Sequence, residues 1–270
     1  MKNLKNFCMV SLFTVFLVSG LNAQSFISGM SLNGSTGLYS IPSGRIGWEE
    51  NTNFGFDVGH HSIFKEDKVT HIPKVAISLF KFLELSGALD IQPDGFNGMD
   101  EGTDFIGGLK LKLPLRRTAL ALGGKYQAMN FSNENSAYVY SATQLYVAVT
   151  YTGSFFDMPA ETTVVIGKTF RDNGSDSNID FGMGFDLVLL PHVFEGFIRW
   201  VTDFSNFSYS EEAFGANAYI RGVVNTGFRI DLSRFPPLND FRAAVDIVMT
   251  DAFDQGRAFS AGFVFGIPIL

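Results

Sequence analysis

The stretch Arg257 to Leu270, RAFSAGFVFGIPIL, decides the fold. Phe259, Ala261, Phe263, Phe265, Ile267 and Ile269 share one face at a period of two, while Ala258, Ser260, Gly262, Val264 and Gly266 share the other. This is a β-strand with one apolar, largely aromatic face. In water a closing strand of this kind leaves an open edge and an aromatic surface, both aggregation hazards. In a bilayer it can pair with the first strand of the same chain, close a barrel and turn its aromatic face to lipid.

The same period runs back through the chain. Phe54, Phe56 and Val58 alternate with Asn53, Gly55, Asp57 and Gly59, and His61 to Thr70 reads as a polar loop. Val75, Ile77 and Leu79 open a second strand; Leu85 to Ile91, Phe105 to Leu113 and Ala119 to Phe131 follow. Further strands are expected over Ala137 to Tyr151, Glu161 to Phe170, Asn178 to Leu190, Val193 to Asp203, Ala216 to Leu232 and Phe241 to Thr250. Five short turns rich in Gly, Pro or Asn alternate with six longer polar loops, which sorts them onto opposite rims. The expectation is an all-β fold, a single transmembrane up-and-down antiparallel β-barrel of about twelve strands over residues 51–270. The competing soluble architecture, a lipocalin-like barrel, would point the Phe- and Leu-rich faces inward. It then leaves the opposite faces, which carry both signs of charge in nearly every strand, without a role.

Composition agrees. The 270 residues include 29 Phe and 28 Gly but 9 Pro, with a net charge of −7. Phe suits a lipid-facing band and Gly the crowded inner wall of a small barrel. Lys2 and Lys5, the apolar run Phe7 to Val18 and the ending Leu21-Asn22-Ala23 read as a Sec signal peptide cleaved after Ala23, placing the protein in a bacterial outer membrane. The one Cys, Cys8, lies inside that run, so the mature chain has no thiol for disulfides or thiolate chemistry. Residues 24–50 are rich in Gly and Ser and read as a lead-in or a plug.

The inward set expected from the alternation comprises Asp57, Glu84, Asp90, Asp104, Asp180, Asp186, Glu195, Asp203, Asp231 and Asp246 against Lys74, Lys110, Lys112, Lys125, Arg199, Arg221, Arg229 and Arg242. Neither sign dominates, so the wall reads as a salt-bridged lumen or a narrow mixed pore, not a channel dedicated to acidic sugars or phosphate. Arg221 and Arg229 share one face of what reads as the longest strand.

Two patterns carry chemistry. Asp90, Gln92, Asp94, Gly95 and Glu101 fit positions one, three, five, six and twelve of a calcium loop, but Pro93 stiffens it and no helices flank it, leaving an irregular cation-binding outer loop or a solvated one. His60 and Ser62, two residues apart, have the spacing of a base and a nucleophile; a lipid-acting enzyme would need both to face lipid with a third polar partner.

Gly37-Leu38, followed by the box Pro42-Ser43-Gly44-Arg45, then acids and the strand from Phe54, resembles the opening of YjbH-like outer-membrane proteins, where a Gly-Leu pair precedes a Pro-Thr-Ala-Arg box. The ends of the box match and its middle differs. The resemblance implies a barrel associated with exopolysaccharide production or export. The expected function is a non-enzymatic outer-membrane barrel without cofactors, a surface scaffold or narrow pore; a diffusion porin for small solutes and a lipid-acting enzyme are the alternatives. Expected partners are outer-membrane lipid, the barrel-assembly machinery and envelope polysaccharide or small solutes, with no nucleic acid.

Overall fold

A computed structural model describes residues 29–49, 52–93, 102–113, 115, 118–133, 136–172, 179–206, 222–253 and 257–269, without the side chains of 129–133 and 136–140. Twelve strands close into an antiparallel barrel. They are β3 (Phe54–Lys65), β4 (Lys68–Leu79), β5 (Leu83–Gln92), β6 (Gly102–Leu113), β7 (Thr118–Asn133), β8 (Ser136–Phe155), β9 (Met158–Arg171), β10 (Asp180–Val188), β11 (Ile198–Ser205), β12 (Val223–Asp231), β13 (Arg242–Thr250) and β14 (Ala258–Ile269). Two short strands, β1 (Gly29–Met30) and β2 (Thr36–Gly37), precede them and pair with each other.

Neighbours in sequence are neighbours in the wall, and β14 returns to β3 with Ile269 opposite Phe54 and Phe263 opposite His60. Closure leaves no sheet edge, the condition for a β-structure in hydrocarbon. The outward residues of β14, from Phe259 through Ile269, are exposed, whereas Ala258, Ser260, Val264 and Gly266 are buried. The same outward apolar surface continues over Leu85 and Leu89, Phe105 and Leu109, Leu145, Ile166, Phe228 and Ile247. So continuous a band is stable against lipid and not against water.

The rims differ from expectation. The stretch from His61 to Thr70 is strand, with β3 and β4 joined by a tight turn at Glu66, whose φ is 55°, and Asp67. His61 and Thr70 point into the barrel, and Ser62 bonds to His60 and His71 on the outside, so polarity there does not mark a loop. Conversely, the connection from β10 to β11 is not a two-residue turn: Pro191–Phe194 forms one helical turn, and β11 starts at Ile198, not Val193. The connection from β12 to β13 holds two 3-10 turns, Leu232–Arg234 and Pro236–Leu238. Phe156 and Asp157, with φ of 48° and 61°, make the tight turn between β8 and β9, the backbone a two-residue hairpin of primed type needs. The long strand read from Ala216 is β12 from Val223; the residues before 222 on that side lie outside the described ones.

Candidate functional site

The lumen is the site, and it is occupied. Residues 29–44 are buried at every position, and Arg45, Gly47, Trp48 and Glu49 are half-buried. A Gly- and Ser-rich segment can thread so narrow a space because it brings little side-chain volume. At Gly44, a β-carbon would press on the carbonyl oxygens of Ala119 and Ala148, and its amide donates to Thr150 Oγ1 at 2.8 Å. At Gly34 the φ of +85° makes the tight bend that lets the segment turn beside the backbone of Gly87.

Apolar residues of this plug meet apolar patches of the inner wall. Leu32 and Tyr39 pack with Ile63, Ile72, Ala88, Ile106, Val248 and Ala258. Leu38 and Ile41 pack with Tyr146, Ala148, Val165 and Val201, and Met30 with Ala76 and Val264. Burying a Leu or Ile side chain stabilises by about 1.5–3 kcal/mol, so these contacts hold the segment in place rather than merely permitting it. Burial also holds the Tyr39 phenol well above its ordinary range.

Wall charges anchor the plug backbone. Glu84 accepts from the Thr36 amide at 2.8 Å and from its hydroxyl, and from the Gly47 amide at 3.1 Å. Lys110 pairs with Glu84 at 2.9 Å and donates to the Thr36 carbonyl at 2.8 Å. Asp203 accepts from the amides of Tyr39 and Ser40 at 2.8 and 2.6 Å and from the Ser40 hydroxyl at 2.9 Å. Lys74 donates to the carbonyls of Met30 and Ser31 at 2.9 and 3.0 Å, and Arg242 to that of Gly29 at 2.9 Å. In return, Arg45 of the plug pairs with Glu161 on β9 and with Glu49, and Glu49 pairs with Lys112. The buried backbone groups of a segment with almost no ladder of its own are thus satisfied by the wall.

Ion pairs join several of the other inward charges. Arg199 meets Asp186 at 2.7 Å, Arg229 bridges Asp186 at 3.3 Å and Asp246 at 2.7 Å, and Arg242 meets Asp57 at 2.8 Å. Of the residues expected to line the lumen, Lys110, Lys125, Asp186, Arg199, Arg229 and Asp246 are buried on the inner wall. Glu195 is not: it caps the helical turn between β10 and β11 with φ of 50° and is exposed, because the strand assumed to carry it begins three residues later. Arg221 lies outside the described residues. Glu161, the plug's main acidic partner on β9, was missed because it sits at what reads as a strand start, next to a turn.

Of the cation-loop candidates, Asp94 and Glu101 lie outside the described residues. Asp90 is on the inner wall, accepting from Thr70 Oγ1 at 2.8 Å and Gln92 Nε2 at 2.7 Å, and is therefore turned away from an outer loop. Among the described residues no group of three or more His, Cys, Asp or Glu is placed to hold a metal. His60 and Ser62 lie within β3, near its turn into β4, and point outward: Ser62 Oγ lies 3.0 Å from His60 Nε2 and 3.1 Å from His71 Nδ1. His71, just past the expected loop of His61 to Thr70, proves to be directly opposite Ser62 on β4.

No protein-family model and no curated protein matches the chain. Solved structures similar in fold include the KdgM porin, with 6% identity and a TM-score of 0.49 over 80% of this chain and 99% of that one. Omp33 of Acinetobacter baumannii has 11% identity and a TM-score of 0.46 over 80% and 98%, and OprD of Pseudomonas aeruginosa 8% and 0.33 over 91% and 98%. Likeness this distant says nothing of what the chain carries or binds.

Proposed function

We propose that this chain is an outer-membrane β-barrel whose lumen is closed by its own N-terminal segment, a surface scaffold and not a diffusion pore. The observation that carries the reading is the plug, with Thr36 hydrogen-bonded to Glu84 and Lys110 on the paired strands β5 and β6, and Tyr39 and Ser40 to Asp203 on β11 across the barrel. An open aqueous lumen would also expose Ile63, Ile72 and Ile106, which are fully buried here against the plug or beside it. The signal peptide directs Sec export with cleavage after Ala23, and the mature chain is then inserted by the barrel-assembly machinery. The resemblance of residues 34–45 to YjbH-like proteins supports a role in envelope or exopolysaccharide export, in which the barrel presents its outer loops to polysaccharide. The test is single-channel recording in planar bilayers on the refolded mature chain and on a variant lacking residues 24–49. The native protein is expected to be silent and the deletion to conduct; stable conductance steps from the native protein would make it a porin.

A further inference from the structure

The apolar outer wall carries a cluster of polar side chains on β3 and β4. On β3, His60 and Ser62 point outward, and on β4 His71 does the same, between the exposed Phe64 and Val75 of their own strands and Phe259 and Phe263 of β14. Ser62 Oγ sits between two imidazoles, 3.0 Å from His60 Nε2 and 3.1 Å from His71 Nδ1. The two rings are stacked, with centroids 5.5 Å apart and planes 28° apart. Ionisable side chains on a surface that faces hydrocarbon are costly, so a cluster of them there marks a candidate functional site. A hydroxyl in hydrogen-bond reach of an imidazole nitrogen, with a second group holding the arrangement, is the constellation of an activated serine nucleophile.

We propose that His60, Ser62 and His71 form an acyl-transfer site on the outer wall of the barrel, acting on a carboxylic ester of a bilayer lipid. The site is independent of the plug, since none of the three residues touches the lumen. Its position suits an ester: Ser62 is three residues from the end of β3, about 10 Å along the strand, closer to the barrel's rim than to its middle. Phe64, Phe259 and Phe263 provide the apolar surface for an acyl chain. In the first half-reaction the Ser62 O–H proton passes to His60 Nε2 as Oγ bonds to the ester carbonyl carbon. The ester C–O bond then breaks, the acyl group stays on Ser62, and the alcohol leaves with the proton from His60. Water repeats the sequence: it gives a proton to His60, adds to the acyl carbon and releases the fatty acid, and Ser62 recovers its proton. His71 is a positioning residue; it fixes Ser62 Oγ and stacks on His60.

The experiment uses the refolded mature chain in micelles with a fluorophosphonate probe, followed by peptide mapping, and in diacylphospholipid vesicles with fatty-acid release as the readout. Ser62 is expected to be labelled, with Ser62→Ala abolishing labelling and release, and His60→Ala lowering both at least tenfold. His71→Asn, which can still donate to Ser62, is expected to keep several times the labelling of His71→Ala. Folding of each variant is checked by heat-modifiable migration, which changes at this outer face should leave intact. Labelling elsewhere on the chain, labelling that survives Ser62→Ala, or neither labelling nor fatty-acid release from the folded native protein would each overturn the proposal. Bilayer conductance reads the plug separately, so failure of one conclusion leaves the other standing.

Discussion

Arg229 and Asp246 face each other across β12 and β13 and meet through two hydrogen bonds, Nε to Oδ1 at 2.7 Å and Nη2 to Oδ2 at 2.9 Å. Both are buried, and His61 Nε2 lies 3.6 Å from the same carboxylate. Removing the acid strands a guanidinium inside the barrel with Asp186 as its remaining carboxylate partner. Asp246→Ala is expected to cost about 3–5 kcal/mol, read from denaturant unfolding in detergent or bilayers. A loss below about 1 kcal/mol would show that the lumen network is dispensable.

Asp203 holds the crown of the plug through three hydrogen bonds to Tyr39 and Ser40, and it also accepts from Asn225 Nδ2 at 2.8 Å. Hydrogen bonds to a charged group contribute about 1.5–3 kcal/mol each. Asp203→Ala should therefore speed hydrogen exchange at the Tyr39 and Ser40 amides at least tenfold while the amides of β14 and β3 stay protected. Equal acceleration in both places would mean that the plug and the barrel open together.

Leu32 is fully buried where the plug meets Ile63, Ile72 and Ile106. Leu32→Ala is expected to destabilise by about 2–5 kcal/mol, because the rigid wall cannot collapse onto the space left behind. The measurement is protease sensitivity of residues 29–49 in the folded protein, which should rise without loss of the barrel's strand signal in circular dichroism.

On the outer face, Phe263→Arg or Ile247→Arg should impair folding into bilayers by about 2–4 kcal/mol. Ala261→Ser, on the same face, should cost far less and serves as the control. Gly262→Ser does not, since a β-carbon there would run into the His61 ring and the His60 carbonyl. Equal losses for Phe263→Arg and Ala261→Ser would contradict the orientation of β14.

Alternation in Phe259 to Ile269 was enough to specify a membrane-facing strand, because a period of two places every second side chain on one face whatever its partners. Closure followed from the same argument, since an unpaired edge cannot persist in lipid. The charges of β5, β6 and β10 to β13 declared their inward face in the same way, and Glu195 failed because its strand starts later than its apolar neighbours suggest. Which acid meets which base was not legible: pairs such as Arg242 and Asp57 are brought together by the strand order and shear of the closed wall. The plug was legible only as a Gly- and Ser-rich stretch. A hint lay in Ile63, Ile72 and Ile106, bulky apolar residues on a face that also carries the buried charges, but their purpose appears once Leu32 and Tyr39 are seen beside them. The meeting of Ser62 with His71 likewise depended on a tight turn at Glu66 and Asp67 that a polar sequence disguises as a loop. Local periodicity is encoded residue by residue, whereas contacts between distant segments arise from the geometry of the closed barrel, and so only the tertiary structure decided them.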